Sequence, residues 1–246
     1  MIKNLYKFIE QIKKDYQEST FSKYKDFIKD FENGEFNIYP LEKDNGFMVF
    51  GNEKFPADLR DIKKYKYDNK AFKHRYYAYY DKRKNKSDKS KVITFILFNP
   101  SFANPKTNDY TVNNCLRLAK KEGYNAIEII NLFSYRSTVV KSECASDNTT
   151  NIKFIRELLT NKKNTSIVLA WGFGKKEKSF CKNVIQEIED SLTKIDKSCA
   201  LLRISVKQKI INTFSQSDKV LHPANSTWSV FGGFEKAAEF APYQTM

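Results

Sequence analysis

Val92-Ile93-Thr94-Phe95-Ile96-Leu97-Phe98 is a run of β-branched, aromatic and aliphatic residues with one threonine inside it. A strand with one wet face alternates apolar and polar residues, so a near-continuous run belongs to a strand covered on both faces. The sequence downstream repeats that unit. Residues 111–122 place Val112, Cys115, Leu116 and Ala119 at helical spacing, closed by Gly123. Residues 126–133 form a second buried strand, and 148–161 a helix with Asp147 or Thr150 as its cap. A third strand covers 166–171 and stops at Gly172, a long helix covers 175–192, and a fourth strand covers 199–206. Strand and helix alternate, which predicts an α/β fold, a three-layer α/β/α sandwich around a central four-stranded parallel sheet.

Upstream the pattern changes. Leu5, Phe8, Ile9, Ile12 and Tyr16 share one helical stripe. Phe21, Tyr24, Phe27, Ile28 and Phe31 share a second, ended by Asn33-Gly34. Short strands are expected at 47–50 and 75–80, followed by a Lys-rich exposed loop at 81–91. Residues 1–90 are thus an N-terminal helical and short-strand extension packed on a core domain at 91–246.

Composition narrows the function. Forty-three Lys and Arg against 29 Asp and Glu leave +14 over 246 residues, which favours a polyanion partner. No run approaches the roughly 18–20 apolar residues that cross a bilayer, and the N-terminus lacks a signal-peptide pattern, so a cytoplasmic protein is expected. Cys115, Cys144, Cys181 and Cys199 are widely spaced and only His74 and His222 are available, which argues against a zinc site. No cofactor or metal is expected.

In a parallel α/β sheet the site lies outside the carboxyl ends of the strands. Those ends read Phe98-Asn99-Pro100-Ser101-Phe102, Ile130-Asn131-Leu132-Phe133 and Ala170-Trp171-Gly172. After the fourth strand come His222-Pro223-Ala224-Asn225-Ser226 and Phe231-Gly232-Gly233-Phe234. Each has a plain alternative: Asn-Pro initiates turns, and asparagine satisfies loop backbone. Taken together they bring two carboxamides and one histidine to one rim. There is no Gly-rich phosphate loop and no nucleophile elbow, which argues against a nucleotide-binding enzyme and an α/β hydrolase.

This ordered set resembles the uracil-DNA glycosylase superfamily over residues 91–240. His222-Pro223-Ala224-Asn225-Ser226 is similar to its His-Pro-Ser-Pro-Leu motif, Ala170-Trp171-Gly172 to its Trp-Gly strand end, and Asn131 stands where it reads the base. Leu97-Phe98-Asn99-Pro100-Ser101 resembles its water-activating loop in the Asn-Pro form. The same signature also resembles a bacterial and phage family of unknown function with Asn-Pro-Ser, Asn-Leu-Phe, Trp-Gly and His-Pro motifs.

The resemblance implies roles. Such enzymes rotate a base out of DNA into a tight pocket. Asn131 would read the uracil edge, His222 would donate to the oxygen that gains negative charge, and Asn99 would hold the attacking water. Phe102 or Tyr110 would stack on the base. Ser101, Asn225, Ser226 and Thr227 would touch DNA, with Trp228 as a wedge. The chain also departs from the pattern. Asn99 stands where the most active branch has aspartate, and a neutral amide cannot take a proton, so general-base help of about 10²–10⁴-fold is missing. The second proline and intercalating leucine of the His motif are absent. These departures favour a catalytically degenerate relative that binds DNA, uracil-containing or single-stranded, or acidic DNA-mimic inhibitor proteins. The alternative is an active glycosylase that hydrolyses the N-glycosidic bond of uracil or another altered base.

Overall fold

The computed structural model describes residues 5–27, 36–54, 72–101, 103–137, 142, 148–172, 179–206, 223 and 231–236. Its strands are β1 (Phe36–Pro40), β2 (Asn45–Gly51), β3 (Arg75–Asp81), β4 (Val92–Leu97), β5 (Ala126–Asn131), β6 (Ser166–Leu169), β7 (Ala200–Val206) and β8 (Phe231–Lys236). The helices are α1 (Leu5–Glu18), α2 (Phe21–Phe27), α3 (Tyr110–Lys121), α4 (Thr149–Asn161) and α5 (Ser179–Leu192).

All eight strands form one mixed sheet in the order β1-β2-β3-β5-β4-β6-β7-β8. The inner four, β5-β4-β6-β7, are parallel, as the alternation of strands and helices predicts. The expected four-stranded sheet is corrected to eight. The strands of the N-terminal stretch pair antiparallel and join the sheet through β3 against β5, while β8 closes the other side against β7. The expected strands at 126–133 and 166–171 end earlier, at Asn131 and Leu169. The Phe231–Phe234 segment, read in the sequence only as following the His motif after the fourth strand, is the start of β8.

Alternation along each strand divides the core in two. Ile96, Ile130, Leu169 and Tyr77 pack on one face with α1, α4 and α5. Phe95, Leu97, Ile129 and Val168 pack on the other with Val112, Cys115 and Leu118 of α3. Helix α1 is amphipathic for this reason: Leu5, Ile9, Ile12 and Tyr16 are buried, and Tyr16 meets Tyr79 edge-on at 5.4 Å. Phe8, on the same predicted stripe, is only half buried and stacks on Phe36 at 5.7 Å. In α2, Tyr24 meets Tyr16 edge-on at 4.4 Å. Gly46 admits no side chain, because its φ is +135° and a Cβ would stand 2.0 Å from the Tyr79 carbonyl oxygen.

The 81–91 loop is less exposed than its charge suggests. Asp81 and Arg83 are buried and paired at 2.6 Å, and Arg83 also donates to the Lys86 and Asp88 carbonyls at 3.0 and 3.1 Å. Among the described residues no helix is long and apolar enough to cross a membrane.

Candidate functional site at the strand ends

Strands β4 and β5 run in register with Leu97 opposite Asn131, and their ladder continues past both ends. Leu132 N–H donates to Leu97 at 2.9 Å and Phe133 N–H to Phe98 at 3.0 Å. Beyond them the Asn99-Pro100 loop closes on the 134–137 loop. Ser137 N–H donates to the Pro100 carbonyl at 3.0 Å, and Asn99 Nδ2 donates to the carbonyls of Ser137 at 2.5 Å and Pro100 at 3.2 Å. The structure thus brings Asn99 and Asn131 to the same end of adjacent parallel strands.

The two amides differ in what holds them. Asn99 is half buried with its nitrogen bound to backbone. Asn131 is fully buried, yet neither its Oδ1 nor its Nδ2 has a hydrogen-bond partner among the described residues. A buried amide left unpaired costs about 1–3 kcal/mol, so such a group is rare without a ligand, a water or a functional reason. By alternation it faces the layer of α3. There Asn114, also fully buried, donates from Nδ2 to the Pro223 carbonyl at 2.8 Å and has its Oδ1 unpaired. That bond ties Pro223 to the α3 layer.

Around β5 the backbone is fixed by asparagines from the start of α4. Asn148 is the N-cap, displacing the expected Asp147 or Thr150, but its side chain makes no capping bond. Instead Nδ2 donates to the Leu132 carbonyl at 2.7 Å, and Oδ1 accepts from Ser134 N–H at 3.2 Å. Asn151 Nδ2 donates to the Asn131 and Leu132 carbonyls at 2.9 and 3.0 Å.

Sequence reasoning missed three buried groups at this rim. Arg75, the first residue of β3, donates from NH1 to the Ala103 carbonyl at 3.1 Å, and its Nε is unpaired. Burial pulls its guanidinium below the ordinary arginine range. Arg136 donates to the carbonyls of Ser101 at 3.4 Å and Phe72 at 3.2 Å. Arg136 thus holds the end of the Asn99-Pro100-Ser101 loop, and Arg75 holds Ala103 beyond it. His74 Nδ1 lies 2.9 Å from Ser134 Oγ, both buried. Their signal in the sequence was weak, since arginines outside a helix stripe read as surface charge until β3 is known to join the sheet.

Ser101 is half buried, with its carbonyl taken by Arg136. Tyr110 is the first residue of α3 and is 49% exposed, so its ring stands on the surface. Asp109 caps α3, accepting from Val112 N–H at 2.9 Å. Trp171 and Gly172 are buried, and Gly172 takes φ +95° to end the β6 segment. His222, Phe102, Asn225, Ser226, Thr227 and Trp228 lie outside the described residues. Among the described residues no group of three or more His, Cys, Asp and Glu side chains could hold a metal ion.

No curated protein and no solved structure matches this chain. A family model described as "Protein of unknown function (DUF1643)" matches residues 78–224. That span includes the Asn99, Asn131, Trp171-Gly172 and His222-Pro223 segments and more than half of the chain. The chain belongs to the DUF1643 family.

Proposed function

We propose that the protein binds DNA and receives an unstacked base at the carboxyl end of β5, in the manner of the uracil-DNA glycosylases, as a binding protein that has lost fast hydrolysis. The observation that carries this reading is Asn131: a fully buried carboxamide at a parallel strand end with both donor and acceptor unspent. A uracil edge offers an acceptor beside a donor, and a carboxamide offers the complementary pair. The net charge of +14 supplies the attraction for the phosphate backbone. The same attraction suits acidic proteins that mimic DNA.

Asn99 explains the weak chemistry. With its nitrogen bound to the Ser137 and Pro100 carbonyls, only its oxygen is turned toward other partners. An amide oxygen accepts a hydrogen bond from water and does not take its proton, so it orients the nucleophile without activating it. His222, the residue before Pro223 in the sequence, would stabilise the departing base.

The test is fluorescence anisotropy with single- and double-stranded oligonucleotides that differ by one uracil-for-thymine exchange. The expected result is salt-sensitive binding with a preference for uracil, lost in Asn131→Asp, and no abasic product at stoichiometric protein. Abasic product that disappears in Asn99→Ala would move the assignment to an active glycosylase. No DNA binding at low salt, or an undiminished uracil preference in Asn131→Asp, overturns the proposal.

A further inference from the structure

At the opposite end of the parallel strands lies a second polar centre. We infer that the cavity at the amino ends of β4 and β6 is a ligand site for a phosphorylated small molecule. The inference does not depend on base binding.

The cavity has a volume of about 670 Å³, within the range of small-molecule sites. Glu128, fully buried in the middle of β5, lies at its floor. Every acceptor direction of this carboxylate is spent inside the protein. Oε1 accepts from Lys13 Nζ at 2.7 Å and from the Tyr77 hydroxyl at 2.8 Å. Oε2 accepts from the Thr94 hydroxyl at 2.7 Å and from Lys162. Two ammonium groups therefore share one buried anion. Among the described residues Lys162 makes one such bond, and an ammonium has three N–H donors.

The charge balance favours an anion. Within, Lys13 and Lys162 stand against Glu128 and against Glu10, which pairs with Lys13 at 3.1 Å. At the mouth Lys89, Lys91 and Lys163 stand against Glu122. Five lysines thus meet three carboxylates. The carboxyl ends of α3 and α4 also face this cavity, and each adds about half a negative charge. The sum is still positive, and a concave wall focuses it. Burial draws the Lys162 ammonium below the ordinary lysine range, and a second anion beside it would favour the charged form further. The volume admits a nucleotide-sized ligand.

Isothermal titration calorimetry at constant ionic strength tests this, with inorganic phosphate and adenosine monophosphate as probes. Lys91 and Lys163 are exposed at the rim, so the double variant Lys91→Glu/Lys163→Glu should fold. The expected result is binding of at least one probe, weakened about tenfold or more in that variant, a change of about 1.4 kcal/mol. Lys162→Met is expected to abolish binding, with its melting curve showing whether the fold persists. Asn131→Asp should bind the probes as the wild type does, so failure at one end of the sheet leaves the other standing. No heat with either probe, or affinity unchanged in the rim variant, overturns the inference.

Discussion

Lys86 shows how a charged residue in a charged loop can become part of the core. Its ammonium lies 3.6 Å from the centroid of the Tyr16 ring and 4.9 Å from that of Phe21, with no hydrogen-bond partner among the described residues. Burial, offset in part by Asp81, lowers its pKa from 10.5 to about 8. Below pH 8 the group is protonated both folded and unfolded, and the cost of burying it is present in full. Between 8 and 10.5 the unfolded chain holds more protons, so stability rises with pH. The aromatic faces favour the cation and solvent screens it, which limits the cost to about 1 kcal/mol. Lys86→Met is expected to stabilise by about that amount at pH 7 and to remove the rise above pH 8, as urea titrations at several pH values would show. Asn131 poses the complementary question. If its amide exists for a ligand, an apolar residue of the same shape should suit the free protein better. Asn131→Leu is expected to raise stability by about 1–2 kcal/mol while removing the uracil preference. A destabilised variant would make the amide structural.

At the scale of elements, α1 is bound to the sheet by packing and by charge. Ile12 is fully buried, and the next residue, Lys13, reaches Glu128. Ile12→Ala is expected to cost roughly 2–4 kcal/mol, measured by denaturant unfolding, because a close-packed core relaxes only partly into the cavity. The parts of the fold legible in the sequence follow the same division between local and distant contacts. The run from Val92 to Leu97 and the helical stripes of α1 and α3 are local patterns, and they predicted their elements to within a few residues. The attachment of β1 to β3 was not legible, because strand pairing depends on residues far apart in the chain, such as Ala78 opposite Ile129. The edge strand β8 was hidden by its glycines, which read as loop. One of them has a use: Gly233 takes φ +136°, and a Cβ there would stand 2.4 Å from Glu122 Oε1. At the site, topology alone placed Asn99 and Asn131, since parallel strands end together. Arg75 and Arg136 could not be found that way, because they serve by gripping loop carbonyls whose position follows only from the completed sheet.

For the molecule as a whole, charge is distributed along the sheet, and its distribution matters more than its sum. Glu128 is the buried anion at the centre. Burial opposes its ionisation, but Lys13 and Lys162 outweigh that and hold its pKa well below 4.5. A depressed carboxylate contributes stability that is present above its unfolded value and lost as pH falls through the folded one. Melting temperature should therefore drop steeply in acid below pH 4.5, and Glu128→Gln should be less stable at pH 7 with a flatter acid limb.

The Lys-rich loop sits at the same end. It precedes β4, whereas Asn99 follows the opposite end of β4 and Asn131 is the last residue of β5. A strand of six residues spans about 20 Å at 3.3 Å per residue. Charges separated by that distance lie more than two Debye lengths apart at physiological salt, where the length is about 8 Å. Lys82 is moreover paired with Asp44. The run from Lys82 to Lys89 therefore cannot grip the phosphates that flank a base held at Asn131. Neutralising it in Lys82→Gln/Lys84→Gln/Lys89→Gln is expected to leave the uracil preference intact and to change DNA affinity by less than about threefold at 0.15 M salt. In an anisotropy series the dependence of log K on log salt should keep its slope, because the proposed base site would put the phosphates contacted, about one for each −0.9 of slope on duplex DNA, at the far rim. A slope that falls by one or more in this variant would place the DNA along the sheet edge toward β4's amino end and detach the base site from the backbone contacts.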